Sequence, residues 1–335
     1  MLGVIFLLTE ARVSASYVTK KKQLRAVKKK DNTPRDSWVI RGISFEINAG
    51  EAVRLIGKKE SGRSSLMRII AGLSSPTTGQ LKRIGEVVFL SGENHLNPKL
   101  SGRDNILLQC LLYGSTKKEA ENLVEKIIDF AGASNYIDKP VASYPCSLTT
   151  KLKLSIVIHQ AADIFAIDGN LFNIDKSFAK AFSQKITELK AEKKIIFISG
   201  SRLIPIKDPF DKAFWIENGE IKSSGLPQEI EIAFQEDSTN YKLLSKQDRL
   251  AYEKSQKKDR ENFKINEYYE RVLLDTSTPN SSDIKQFFQP SVPLSNRIPL
   301  FYKLFIILLV LCFIFIMLNY LPTRSPVEII SEFFL

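Results

Sequence analysis

Cysteine and histidine are scarce in this sequence, and each scarcity removes a class of chemistry. Three cysteines, Cys110, Cys146 and Cys312, are scattered through 335 residues without metal-ligand or disulfide spacing. That excludes a cysteine zinc site and a disulfide framework, and it points to free thiols in a reducing compartment. The two histidines, His95 and His159, read as a surface-loop residue and a helix-packing residue. No internal repeat is present. The opening "MLGVIFLL" has no basic flank and too short an apolar run for a signal peptide, so it is expected to be the first strand of a domain.

An apolar content of 44% and a charged content of 25% are ordinary for a globular chain, and the length allows a sizeable core. A net charge of +11 would suit nucleic acid or an anionic membrane, but the basic residues are dispersed. Their one dense run, "KKKQLRAVKKK" at residues 20–30, reads as a solvated loop. Dispersed charge in a chain with an apolar C-terminal run argues against a nucleic-acid partner. That run, "LFYKLFIILLVLCFIFIMLNYL", is apolar on every face and carries one charge, Lys303, placed to snorkel. As a helix it would measure roughly 33 Å, enough to cross a bilayer. A single transmembrane helix is therefore expected over 299–321. Lys285, Arg297 and Lys303 outnumber Arg324 across it, so the N-terminal domain is expected to be cytoplasmic and the tail 322–335 outside.

Between about Trp38 and Gly225, short β-rich runs ("EAVRLI", "EVVFL", "DIFAID", "KIIFIS") alternate with segments of helical period. This alternation predicts an α/β domain with a parallel sheet, over residues 1–235. A helix-rich stretch at about 95–160 reads as an inserted subdomain. Residues 236–298 read as a charged connector, helical at first and then loosening into "DTSTPNSSD", with little apolar stripe to bury. Trp215 in "AFWIENG" reads as strand core.

The chemistry concentrates in "RLIGKKESGRSSLMRIIAGL". A phosphate-binding loop needs a strand, a glycine-rich turn whose N–H groups wrap phosphates, and a helix presenting its positive end. "EAVRLI" supplies the strand, Gly57, Ser61, Gly62, Arg63, Ser64 and Ser65 the loop, and "SSLMRIIAGL" the helix, with Ser64 at the hydroxyl position for Mg²⁺. The phosphate lysine is replaced by Arg63, which keeps charge but demands a planar, bidentate geometry. Lys59 and Glu60 stand where glycine or small residues would let the loop turn tightly. A second element, the apolar strand "DIFAID", ends in Asp168, placed to reach Mg²⁺.

With these motifs and "RGISFEINAGEAVRLIG", "NPKLSGRDNI", "IDGNLFNIDKSF" and "FDKAFWIENGEIKSSG" in order, the chain resembles the ATP-binding subunits of ABC exporters for teichoic acids and other surface polysaccharides, from about Tyr17 to Ile230. The resemblance implies an ABC-type P-loop NTPase fold with a helical subdomain, followed by the charged linker and the C-terminal transmembrane helix. It implies ATP and Mg²⁺ as ligands, with Tyr17 stacking on adenine, Ser64 and Asp168 at the metal, Asp175 in the loop that communicates across a dimer, and Ser91 near the metal and permease junction. It implies a polysaccharide permease and a second ATP-binding subunit as partners, either a homodimer or a heterodimer with an intact paralogue, at the cell membrane.

Departures from the family pattern bear on hydrolysis. The family's water-polarising glutamate position holds Gly169, and its γ-phosphate histidine position falls at or beside Gly200. In "YPCSLTTKLKLS", Pro145 and Cys146 replace the small residues of the signature loop, and Pro145 removes a donor. No catalytic residue is assigned. The expected function is an exporter ATP-binding subunit with weak or absent hydrolysis. An active transport ATPase with compensated motifs and a membrane-tethered scaffold that binds no nucleotide are the alternatives.

Overall fold

The computed structural model of the chain describes residues 11–23, 36–92, 95–169, 174–200 and 209–275, all within the first of two units, Met1–Ser291. The expected first strand in 1–8, the transmembrane span 299–321 and the tail 322–335 lie outside the described residues. Among those described, no helix is long and apolar enough to cross a membrane.

Two sheets and a helical subdomain make up the described part. Strands β1 (Arg12–Gln23), β2 (Asp36–Asn48) and β4 (Thr78–Ile84) form a three-stranded antiparallel sheet in the order β2-β1-β4. Strands β3 (Ala52–Ile56), β5 (Val87–Leu90), β6 (Ile164–Asp168), β7 (Ile195–Gly200), β8 (Lys212–Glu217) and β9 (Glu220–Gly225) form a six-stranded sheet in the order β5-β6-β7-β3-β8-β9. Its first five strands run parallel, and β9 turns back as a hairpin on β8. Every residue of β3 and β7 is buried, as expected for central parallel strands covered on both faces. One face packs Val53, Leu55 and Phe197 against α1 (Arg63–Ile70) and the antiparallel sheet. The other packs Phe165, Ile167 and Ile198 against α4 (Cys146–Ile158) and α5 (Lys176–Ala191).

The expected subdomain at 95–160 is present as α2 (Gly102–Leu112), α3 (Lys117–Ala131), a 3₁₀ turn (Val141–Ser143) and α4, around a core of its own. Local sequence sets the helix ends. Ser101 caps α2, while Thr116 and Glu119 form a reciprocal capping box on α3, which stops at the left-handed Gly132. The two N-terminal caps satisfy N–H groups, and the turn at Gly132 carbonyl groups, that the helix itself leaves without partners.

Two expectations are revised. The basic run does not begin as a solvated loop: residues 20–23 continue β1, and Lys20 donates to the Ser75 carbonyl at 2.6 Å, because the β1–β2 pairing runs on through them. Residues 24–35 lie outside the description. The charged connector also does more than connect. After α6 (Pro227–Leu243), the helices α7 (Lys246–Asn262) and α8 (Ile265–Asp275) return to the α/β domain. Phe263 meets Trp38 edge-on at 5.4 Å, the Tyr268 hydroxyl donates to the Gly42 carbonyl at 3.0 Å, and the Tyr252 hydroxyl donates to Glu217 at 3.0 Å. Helix α7 buries no residue fully, so it is held by aromatic edges and polar contacts in place of an apolar stripe.

Candidate functional site

Strand β3 leads into the loop 57–62, and α1 begins at Arg63, as the strand–loop–helix reading requires. Glycine is needed at Gly57, because a Cβ there would sit 2.2 Å from the Ile216 carbonyl oxygen. It is needed again at Gly62, which has φ 103° and whose Cβ would lie 2.4 Å from the Val39 carbonyl. Of the two residues expected to hinder a tight turn, Glu60 does adopt left-handed φ at 64°, while Lys59 is not among the positive-φ residues. Holding a non-glycine residue there costs about 1 kcal/mol. The loop is pinned by Gly219 N–H donating to the Ser61 carbonyl at 2.8 Å and by Leu66 N–H donating to the Gly62 carbonyl at 2.9 Å. Helix α1 has no side-chain cap and no acidic residue in its first turn, so its positive end remains available to an anion.

The candidate side chains gather around this end. Ser64 is exposed, and Ser65 and Arg63 are half-buried. Arg63 turns toward the strand ends: its Nε donates to Ser61 Oγ at 3.3 Å and its Nη1 reaches Ser199 Oγ at 3.4 Å. Burial pulls the Arg63 pKa down, and the charge of Asp168 opposes this. Asp168 ends β6 in register with Ser199, and the next residue's N–H, at Gly169, donates to the Ser199 carbonyl at 3.2 Å. A Cβ built on Gly169 would meet nothing among the described residues within 4 Å, whereas Gly200, which ends β7, is buried. No group of three or more His, Cys, Asp or Glu that could hold a metal is found among the described residues. The donor set would suit Mg²⁺ carried largely by phosphate oxygens and water, and the Ser64 hydroxyl and the Asp168 carboxylate are the side chains that could hold it.

Other predicted positions fall outside this cluster or have a visible structural task. Tyr17 lies on β1, but its side chain is outside the description. Asp175 caps α5 by accepting from Phe178 N–H at 2.8 Å and pairs with Lys151 of α4 at 3.1 Å. The Phe178 N–H, then Lys151, hold its carboxyl down to about 2. Ser91 follows β5 and lines a groove of about 400 Å³ with Arg68, Leu73, Phe89 and Tyr113. Pro145 and Cys146 form the uncapped start of α4. His159 packs edge-on against Phe130 and Trp215 against Phe234, as expected of packing residues, while His95 is exposed. Cys110 is buried and Cys146 exposed, both as free thiols; Cys312 lies outside the described residues.

Sequence reasoning missed how the later helices grip the loop. The Lys58 ammonium pairs with Asp237 of α6 at 2.6 Å and sits 4.4 Å from the Tyr241 ring centroid and 5.3 Å from that of Tyr252. Arg260 of α7 donates from Nη1 to the Glu60 carbonyl at 2.8 Å. Further back, the buried Arg54 of β3 pairs with Glu231 of α6. Burial lowers the Arg54 pKa and Glu231 raises it again. The one available signal was the run of tyrosine and phenylalanine residues in an otherwise charged connector.

A parallel sheet feeding a glycine-turned loop into an uncapped helix, with a strand-end aspartate beside it and an inserted helical subdomain, defines an ABC-type nucleotide-binding domain. Residues 40–169 match the ABC transporter family model. The fold resembles a dimeric bacterial ABC transporter cassette (TM-score 0.55, 15% identity, 64% of this chain and 98% of that one). It also resembles an ATP-binding subunit of an ABC transporter (TM-score 0.54, 18% identity, 67% and 93%). Among curated proteins, the teichoic acids export ATP-binding protein TagH of Levilactobacillus brevis is 32% identical over 262 residues, covering 76% of this chain and 72% of that protein. The TagH of Staphylococcus haemolyticus is 31% identical over 227 residues, covering 68% and 85%. The chain belongs to the family of teichoic acids export ATP-binding proteins. It matches 59% of the length of the Lactococcus lactis member and 53% of that of Enterococcus faecalis.

Proposed function

We propose that this chain is the ATP-binding subunit of an exporter of teichoic acid or a related cell-surface polysaccharide, and that it binds Mg-ATP while hydrolysing it weakly or not at all. One observation carries the reading: an anion-ready loop and helix end at Gly57 to Ser65 stand beside Asp168, while the neighbouring position, Gly169, has no side chain and a Cβ there would meet nothing among the described residues. Loop and helix provide binding. Water activation needs a positioned base, and the loss of that base together with a γ-phosphate contact at Gly200 is expected to lower the rate by orders of magnitude.

The proposal extends to the assembly. The groove at Ser91, Leu73, Phe89 and Tyr113, with the exposed Leu108, Leu111 and Leu112 of α2 on the helical subdomain, would offer a membrane permease an apolar seat. Asp175 would serve a dimer interface, with Tyr17 stacking on adenine. A homodimer would repeat Arg63, Gly169 and the "YPCSL" segment in both composite sites, so transport calls for a second, intact ATP-binding subunit. The apolar run 299–321 would tether the chain once in the cell membrane with this domain cytoplasmic.

The test is equilibrium binding of Mg-ATP to the full chain in detergent, read without turnover, beside a phosphate-release assay. Binding with turnover at or near background is expected. Vanadate-sensitive hydrolysis that disappears in Asp168→Asn would establish an active transport ATPase instead, and no binding at millimolar ATP would establish a scaffold.

A further inference from the structure

The cleft at the start of α1, about 310 Å³, is not lined by the ATP-binding motifs alone. Ser37 and Val39 of β2 and Gly62, Arg63, Ser64 and Ser65 share it with Arg260, which arrives from α7, almost two hundred residues along the chain. We propose that Arg260 is a nucleotide-contacting residue: helix α7 supplies in cis a guanidinium that acts on the phosphate chain of the bound nucleotide. This rests on the nucleotide-binding reading above and adds to it a residue outside the loop and strand motifs.

Of the cations in and beside the loop, Lys58 and Arg63 are committed elsewhere, while Lys59 is exposed. Lys58 is drawn back by Asp237 at 2.6 Å and faces two tyrosine rings, and Arg63 is folded toward Ser61, Ser199 and the charge of Asp168. Arg260 is committed less. Its Nη1 donates to the Glu60 carbonyl, its Nη2 stands 3.9 Å from the exposed Glu60 carboxylate, and its Nε, shielded from solvent, has no hydrogen-bond partner among the described residues. A guanidinium has five N–H donors in a fixed planar fork, so one firm bond to a carbonyl orients the group without exhausting it. Its side chain is only 15% exposed, so a phosphate reaching it would interact in a poorly screened setting.

The placement of α7 is built in. Ser245 caps its first turn by accepting from Asp248 N–H, Tyr252 is tied to Glu217, and Phe263, just beyond its end, packs on Trp38. Trp38 precedes Val39, a cleft residue, on the same strand. The contact that seats the helix end therefore also sets Arg260 against the cleft.

The experiment measures Mg-ATP binding to the full-length protein in detergent, wild type against Arg260→Gln and Arg260→Lys, at several salt concentrations. Glutamine keeps an N–H donor on a shorter, uncharged side chain, so the salt series on this variant separates a phosphate contact from a loop tether. Loss of one charge-assisted contact should raise the Kd about tenfold in Arg260→Gln. The dependence of Kd on salt should flatten in that variant and persist in Arg260→Lys, whose affinity should fall between the other two. A tether alone would leave the salt dependence of Arg260→Gln unchanged, and that result would overturn the proposal. So would tighter binding in Arg260→Gln, which would make the arginine an obstruction. Should the wild type itself bind no ATP, the nucleotide reading fails first and this inference with it. Should the wild type bind and the glutamine variant match it, this inference alone fails.

Discussion

The phosphate loop and the strand ends beside it meet where Arg63 reaches Ser199, and they are built in opposite ways. The loop is gripped from several sides. Ile216 and Val39 carbonyls close on Gly57 and Gly62, Asp237 and two tyrosines hold Lys58, Arg260 holds Glu60, and Glu231 secures the feeding strand at Arg54. At the strand ends, a Cβ on Gly169 would meet nothing within 4 Å among the described residues. Holding a polyanion requires donors fixed in advance, and this half invests in fixing them. Breaking a phosphate bond requires in addition a base at the right point, and the second half provides none at Gly169. On this contrast rests the proposal of a binding subunit with little turnover.

The comparison breaks most severely at Arg54. Glu231→Ala removes a carboxylate from a buried guanidinium, and the expected loss is about 3 kcal/mol of stability, visible as a lower urea midpoint. An unchanged midpoint would mean that the strand behind the loop needs no support from α6. Gly57→Ala comes next: a methyl 2.2 Å from the Ile216 carbonyl should displace the loop, destabilise by about 2 kcal/mol and weaken ATP binding about a hundredfold. The same substitution at Gly169 should move stability by no more than about 0.5 kcal/mol. Equal effects at the two glycines would erase the distinction between the held half and the open half.

Adding what the open half lacks sharpens the contrast. Gly169→Glu, whose Cβ would meet nothing among the described residues, should raise phosphate release at least about tenfold, short of a full general base because Gly200 still lacks its partner. No gain, with ATP binding intact, would show that Gly169 is not what limits turnover. The smallest effect lies at Asp175. Its carboxyl is held at about 2, below the ordinary 3.8, by the Phe178 N–H and Lys151, so its capping contribution is complete above about pH 4 and fades as pH falls toward 2. Carboxyl NMR should show this titration, and Lys151→Met should shift it to higher pH. A titration that stays put would assign the depression to the helix cap alone.

Much of this architecture is written in short stretches. "EAVRLI" followed by glycines and serines must be strand, loop and helix, because apolar β-branched runs bury on both faces and only glycine fits where carbonyls crowd the turn at Gly57 and Gly62. Asp168 at the end of an apolar strand, the helical subdomain, and the packing roles of His159 and Trp215 were legible for the same reason: each depends on periodicity or on a motif within a few residues. The reading of residues 20–23 went astray because charge density argues for solvent, while the pairing of β1 with β2 and β4 is a non-local property. Helix α7 escaped for a related reason, having no apolar stripe to announce what it packs against.

The sequence by itself determined the class of fold, the order of its motifs, the replacement of lysine by Arg63 and the glycine after Asp168, since these are matters of residue type and spacing. Only the tertiary structure decided where the loop's charges are spent and which distant residues join them: Lys58 on Asp237, Arg63 toward Ser199, and Arg260 at the cleft. Long cationic side chains have many rotamers and a Coulomb attraction that does not depend on chain separation, so their partners are chosen by which surfaces the packed fold brings within a few ångströms.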